Sequence, residues 1–250
     1  MMAITGYGFV GKAYEDYLEG RYEILIIDPK YNDNKMNSNI RWQIICVPTP
    51  SNEDGGCDMS YVLDVLENTP DNVENLIKST ISIQGWQTIR ERFPNKRVAF
   101  SPEFLRATQW QSDLKESTEV ILSGDDDFWY DQFNIINPDL NITRMSVDEA
   151  ITVKYFRNAF LATKVSFFNH IYDFCEEYNL GFDIVRDSIA QDKRIGHSHT
   201  FVNDHGSRGW GGMCFPKDTK ALTKMAHLKN INLNTLEAAI LYNNKVRKKH

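Results

Sequence analysis

Met2-Ala3-Ile4-Thr5-Gly6-Tyr7-Gly8-Phe9-Val10-Gly11-Lys12 decides how the rest of the chain is read. Four residues that read as a short strand run into glycines spaced G-x-G-x-x-G, and a helix-like segment, Lys12 to Glu19, follows. In that setting Gly6 allows a tight turn, Gly8 lets backbone approach a pyrophosphate and Gly11 permits close helix packing. The helix N-terminus supplies amide donors to the anion. The next strand-like run, Tyr22 to Ile27, ends at Asp28, where a carboxylate accepts the ribose hydroxyls of NAD and repels the extra phosphate of NADP. The same stretch also opens like the phosphate loop G-x-x-x-x-G-K. Ala13, however, stands where that loop needs a Ser or Thr hydroxyl for magnesium.

Outward from this turn, strand and helix patterns alternate. Trp42 to Val47 is a near-continuous apolar run stopped by Pro48-Thr49-Pro50, and Asn75 to Thr80 and Arg97 to Glu103 are strand-like. Helical patterns cover Ser60 to Asn68 and Gln84 to Arg92, and later strands read at Glu119 to Gly124 and Asn141 to Thr143. The alternation predicts an α/β fold, a Rossmann-like doubly wound parallel sheet with its ligand site beyond the strand carboxyl ends. Thr49, Thr80 and Glu103 fall on that rim together with Gly6 to Gly11.

Ser146-Val147-Asp148-Glu149 is a capping box, and the helix it opens is expected to run through Tyr178 and stop near Gly181. It carries Phe156, Phe160, Leu161, Phe167, Phe168, Ile171 and Phe174, the sort of face that joins subunits. Lys154 and Asn158 stand i, i+4 on one stripe of it, a spacing that an exposed lysine and a neutral asparagine would satisfy as well. Further helices are expected over Asp183 to Gln191, Thr219 to Leu228 and Asn234 to Lys245. The chain therefore divides into a Rossmann-like domain, 1–145, and an all-helical central, dimerising domain, 146–250.

Composition narrows the function classes. With 42% hydrophobic and 25% charged residues the chain is ordinary globular material without a membrane span, and a net charge of −6 argues against nucleic acid as a partner. No secretory signal precedes the first strand, so a cytoplasmic location is expected. Cys46, Cys57, Cys175 and Cys214 are scattered without metal-ligand spacing, Cys46 and Cys175 reading as core residues. His197, His199 and His205 share a polar loop but match no zinc pattern, so no metal is expected.

Near the other end, Gly209-Trp210-Gly211-Gly212-Met213-Cys214-Phe215-Pro216-Lys217-Asp218 sets a thiol among glycines with a lysine and a carboxylate close by. Read alone it is either a Gly-rich turn with a half-buried Cys or a nucleophile's setting, in which Lys217 favours the thiolate.

Taken together these blocks resemble the UDP-glucose/GDP-mannose dehydrogenase family. The blocks are Gly6 to Gly11, Val47 to Pro50 with Asp54-Gly55 and Asp58, Lys78-Ser79-Thr80, Ser101 to Arg106, Lys154 to Ala162, Arg194-Ile195-Gly196 and Gly211 to Asp218. The resemblance implies oxidation of a nucleotide-sugar C6 alcohol to a carboxylate with two NAD, UDP-glucose first and GDP-mannose or another nucleotide sugar second. It implies Cys214 as a nucleophile that captures the aldehyde as a thiohemiacetal and carries the thioester. Lys154 and Asn158 would stabilise the oxyanion, and Glu103, Thr80 and Asp218 would position or activate water. Gly6, Gly8, Phe9, Val10, Gly11, Asp28, Thr49, Thr80 and Lys217 are the implied cofactor contacts. Glu103, Phe104, Leu105, Arg106, Lys154, Asn158, Asn203, Ser207 and Gly211 are the implied sugar-nucleotide contacts, with Arg194 reaching the substrate of a neighbouring subunit in a homodimer.

The sequence also departs from that family. Members usually carry a second nucleotide-binding domain after the central helices, and this sequence reads as lacking it. A separate chain that supplies the missing domain, or a non-catalytic NAD-binding remnant serving a full-length enzyme, therefore stand as alternatives. The segment between Asp28 and Trp42 is short, the loop from Arg194 to Cys214 is long, and Ala107 replaces a glutamate typical of the cofactor site.

Overall fold

The quoted N-terminal stretch forms a buried strand, a turn and a helix in a computed structural model that describes residues 1–202 and 207–247. In chain order the elements are β1 (Met2–Thr5), α1 (Phe9–Leu18), β2 (Ile24–Ile27), β3 (Trp42–Ile45), α2 (Ser60–Glu67) and β4 (Glu74–Ile77). There follow α3 (Ile83–Arg92), β5 (Arg97–Phe100), α4 (Trp110–Lys115), β6 (Glu119–Gly124), α5 (Asp127–Ile136) and β7 (Asn141–Arg144). The strands form one sheet in the order β2-β1-β3-β4-β5-β6-β7.

The first five strands of that order are parallel, β1 aligning Met2 with both Ile24 and Trp42. The sheet is thus mostly parallel, as expected of a doubly wound fold; strand β6 runs antiparallel to β5, and β7 is parallel to β6. The cause lies in the connection. A parallel return needs a long crossover, usually a covering helix. The helix between β5 and β6 has six residues and packs on α1 instead.

Strands β1 and β3 are buried along their whole length, as expected of apolar runs covered on both faces. One face packs Met2, Ile4, Trp42, Ile44 and Leu76 against Tyr14 and Leu18 of α1 and Trp129 and Phe133 of α5. Within it Trp42 meets Tyr22 and Trp129 edge-on, at 4.8 and 5.4 Å between ring centroids. On the central strands a buried polar chain is fully paired: Thr5 Oγ1 donates to Gln43 Oε1 at 2.8 Å, and Gln43 Nε2 donates to Thr69 and Asn75 at 2.7 Å. Such a chain fixes strand register at little cost because no member is left unsatisfied.

The described residues divide into two compact units, one of residues 1–52 and 57–154, the other of residues 53–56 and the chain from Tyr155 onward. Helix α6 (Val147–Glu177), 31 residues long, opens in the first and continues in the second. Its capping box forms as expected: Ser146 N donates to Glu149 Oε2 at 2.8 Å, and Glu149 N to Ser146 Oγ at 3.3 Å.

The second unit adds α7 (Phe182–Ala190), α8 (Phe215–His227) and α9 (Asn234–Arg247). The aromatic face expected on α6 splits in two. Phe168 is buried, and Ala162 and Val165 pack with Trp210, Phe215 and Ile240, whereas Phe156, Phe160, Phe167 and Phe174 stand exposed. No described helix is long and apolar enough to cross a membrane.

Candidate active site

The turn after β1 is built by close approach. Gly6 takes φ +91°, and a Cβ on it would sit 2.6 Å from the carbonyl carbon of Cys46. A Cβ on Gly11 would lie 2.2 Å from the Gly6 carbonyl oxygen, so helix α1 leaves the turn with no room for a side chain there. The helix starts at Phe9, with Gly8 before it, three residues ahead of the expected Lys12. Tyr7 N donates to Asp28 Oδ2 at 2.6 Å and Lys30 N to Asp28 Oδ1 at 2.9 Å, which holds the carboxylate at the end of β2 against the glycine turn.

No heavy atom lies within 4 Å of a Cβ placed on Gly8, so the turn offers open space on the side of the helix N-terminus. Glycine turn, helix end and Asp28 together fit a dinucleotide. Phe9 and Val10 open α1 beside this space, and Thr49 is buried on the rim after β3. Around Tyr7, the hydroxyl donates to Glu15, a hydrogen bond that together with burial pushes the phenol up to about 12, and Lys12 Nζ lies 5.5 and 5.4 Å from the Tyr7 and Tyr31 rings.

Further along the rim, Ser79 Oγ donates to the Val47 carbonyl at 2.7 Å and Thr80 is buried, its carbonyl accepting from Cys57 Sγ at 3.3 Å. Glu103 is buried beyond β5. Its Oε1 accepts from Lys154 Nζ at 2.8 Å and its Oε2 from Leu105 N at 2.8 Å, and Lys154 also donates to the Glu103 carbonyl. Both partners of this ion pair are almost fully shielded from water. The Lys154 ammonium also lies 5.3 Å from the Phe104 ring centre. Arg106 turns to Asp113, which accepts from its backbone N at 2.7 Å and from Nε at 3.1 Å.

In the second unit the thiol segment folds differently from the expectation. Helix α8 begins at Phe215, not Thr219, which makes Cys214 the residue that caps it and puts Pro216, Lys217 and Asp218 in its first turn. A helix N-terminus presents amide donors that favour negative charge. Proline at N2 supports the early start, since its missing N–H is not needed there. Asp218 is 1% exposed, accepts from Asn158 Nδ2 at 2.6 Å and pairs with Lys217. The stretch leading to Cys214 is pinned at Trp210, whose N donates to Asn243 Oδ1 at 2.7 Å and whose Nε1 donates to Ser166 Oγ at 2.9 Å. Gly211 lies against Arg247: a Cβ there would come within 2.8 Å of the guanidinium carbon.

Of the remaining expected contacts, Arg194 is exposed and pairs with Asp192 at 2.5 Å, Ser207 is half-buried and Asn203 lies outside the described residues. Among the described residues no group of His, Cys, Asp and Glu could hold a metal ion. Cys175 is buried as expected, whereas Cys46 falls just past β3 and is only partly covered as a residue. Burial nonetheless pushes the Cys46 thiol up to about 12.

Two features escaped the reading of the sequence. Residues 53–56 belong with the second unit, where Asp54 pairs with Lys224 of α8; nothing in the local pattern signals a partner so far along the chain. Lys78, read only as part of a motif, is 3% exposed, and burial pushes its ammonium down to about 7. Its signal was weak, since the strand before it reads Glu74-Asn75-Leu76-Ile77 and a lysine after two apolar residues is ordinarily expected at the surface. A cleft of about 640 Å³ beside α1, lined by Tyr7, Lys12, Glu15, Tyr22 and Trp110 among others, carries none of the expected site residues.

Residues 12–131 match the NAD binding domain of the UDP-glucose/GDP-mannose dehydrogenase family, and residues 148–245 match its central domain. A UDP-glucose 6-dehydrogenase of Campylobacter jejuni is 34% identical over 221 residues, covering 84% of this chain and 54% of that protein. One from Bacillus subtilis is 31% identical, covering 80% and 48%. The chain thus spans about half the length of these curated relatives. In fold it is similar to a UDP-glucose dehydrogenase from Pyrobaculum islandicum, with a TM-score of 0.82 at 21% identity over 98% of this chain and 68% of that one. It is also similar to a GDP-mannose dehydrogenase from Pseudomonas aeruginosa, with a TM-score of 0.67 at 21% identity over 99% and 69%. With two domains of one family matched in order along most of its length, the chain belongs to the UDP-glucose/GDP-mannose dehydrogenase family.

Proposed function

We propose that the chain is an NAD-dependent nucleotide-sugar 6-dehydrogenase that oxidises UDP-glucose to UDP-glucuronate in two steps. The observation that carries this reading is the placement of Cys214 at the N-terminus of α8, one turn ahead of an Asp218 bonded to Asn158. Cys46 is a poor rival as nucleophile, because a thiol titrating at about 12 is protonated at neutral pH.

Gly6, Gly8, Phe9, Val10, Gly11, Asp28, Thr49, Thr80 and Lys217 hold the cofactor in this reading, which supplies a hydride acceptor for each oxidation. Cys214 thiolate adds to the aldehyde carbon and forms the C–S bond of a thiohemiacetal, which retains a reactive intermediate until the second oxidation. Lys154 and Asn158, one turn apart on α6, stabilise the charge that develops on the former carbonyl oxygen. Water then attacks the thioester carbon, Glu103 takes its proton, and the C–S bond breaks to return the thiolate. Thr80 and Asp218 orient that water. Phe104, Leu105, Arg106, Asn203, Ser207 and Gly211 contact the sugar nucleotide, and Arg194 reaches the substrate of a neighbouring subunit.

UDP-glucose is favoured over GDP-mannose by the names of the curated relatives. In this reading the first unit serves as the dinucleotide domain and the second as the domain of the catalytic cysteine. The chain pairs with a second copy through Phe156, Phe160, Phe167 and Phe174, which stand 49 to 68% exposed along α6. NADH absorbance with the purified chain tests the activity. UDP-glucose should give NADH, and absence of reduction with UDP-glucose, GDP-mannose and other nucleotide sugars alike would refute it.

A further inference from the structure

We propose that Lys78 is a positioning residue: a buried lysine whose hydrogen bonds to Ser101 and Pro102 hold the segment that carries Glu103. The inference rests on the reading of Glu103 as the base that hydrolyses the thioester.

Lys78 is the residue just past β4, and Ser101 and Pro102 are the residues just past β5, the neighbouring strand. Lys78 Nζ donates to Ser101 Oγ at 2.8 Å and to the Pro102 carbonyl at 3.4 Å. These bonds tie the carboxyl ends of two adjacent parallel strands at the point where the chain leaves the sheet toward Glu103. The next bonds along the segment belong to Glu103 itself, through Lys154 and Leu105 N. Lys78 thus fixes where the segment starts, and Lys154 fixes where its carboxylate ends.

A buried lysine is a costly way to hold a loop. A neutral side chain would avoid the desolvation that pushes this ammonium down to about 7. Four groups face it from the elements packed around it: Tyr14 of α1, whose ring centre is 5.2 Å away, Cys46 beyond β3, Glu103 beyond β5 and Lys154 of α6. Of these, Glu103 is the charge that favours the ammonium most. Lys78 therefore makes its hydrogen bonds to Ser101 and Pro102, on one side of Glu103, while adding a second positive charge, besides Lys154, to the surroundings of that carboxylate. A lysine kept only for stability would have no need of that second charge.

Lys78→Met and Ser101→Ala in the full chain test this, with two readouts. By hydrogen exchange, the amides of Ser101 and of residues 103–106 should exchange about tenfold faster in both variants while those of β1 and β3 keep their protection. In turnover, kcat should fall roughly tenfold or more with KM for NAD held within about twofold, since the cofactor turn is untouched. Unchanged exchange in the Ser101→Ala variant would overturn the proposal, as would unchanged kcat in both variants of an active chain. Loss of protection throughout the sheet, with kcat and KM moving together, would make Lys78 a structural residue and overturn it as well. If the wild-type chain forms no NADH, the reaction reading fails, and the exchange of Ser101 and residues 103–106 still decides whether Lys78 holds the segment.

Discussion

Lys78 and Glu103 are both buried ionisable groups, and each has a consequence for stability. A lysine in the unfolded chain titrates near 10.5, whereas burial holds Lys78 at about 7. Below pH 7 the ammonium is charged in both states and its burial cost is present in full. Between 7 and 10.5 the unfolded chain binds more protons than the fold, so stability rises with pH; above both values the cost is gone. Lys78→Met removes that cost at every pH. Urea unfolding should therefore show the variant gaining about 1 to 4 kcal/mol over wild type at pH 6, with the gain shrinking toward pH 10; a difference constant across that range would contradict the burial cost. Glu103→Leu should do the reverse, because it strands the Lys154 ammonium, 3% exposed, without its partner. A loss of about 3 to 5 kcal/mol is expected in the same assay, and a loss below about 1 kcal/mol would mean that the pair behaves like one in solvent. At this scale the sequence was partly legible. Glycine spacing and an acid at position 28 foretold a turn and a carboxylate that do meet, because a local motif carries its own geometry. The Lys78 bond to Ser101 did not show, since it depends on which strands become neighbours.

At the level of elements, the turn between β1 and α1 depends on the absence of a side chain at position 11. Gly11→Ala would set a methyl 2.2 Å from the Gly6 oxygen, well inside contact distance, so helix and turn must separate. NAD binding, followed by protein fluorescence or calorimetry, should weaken by roughly tenfold or more while the circular dichroism of the fold is retained; undiminished binding would show that the turn tolerates displacement. The strands and the long helix could be read because apolar runs and a capping box are written in adjacent residues. Helix α4 could not be read: it is six residues long and buries none of them, so it leaves no periodic pattern. The early start of α8 was hidden for a different reason. Pro216 and the glycines before it look like a loop, although proline near a helix start is well tolerated, and this shift is what brings Cys214 to the helix end. The antiparallel β6 was equally hidden, because strand direction is set by the path of the connection and leaves no mark on the strand itself.

For the molecule as a whole, the proposed pairing through α6 and the proposed reaction are separate claims with separate tests. Light scattering at micromolar concentration should report a dimer for the wild-type chain and a monomer when Phe160→Glu and Phe167→Glu are combined; a wild-type monomer would remove both the pairing and the role given to Arg194. The central claim is that oxidation runs twice, with the intermediate held on Cys214. The most direct measurement is therefore the yield of NADH per UDP-glucose consumed at completion, with the wild-type chain and with Cys214→Ser. Two NADH per sugar for wild type, and turnover lowered on the order of 10³-fold or more in the variant, is the expected result; a yield of one, or a variant that still delivers two at the wild-type rate, would contradict covalent capture at Cys214.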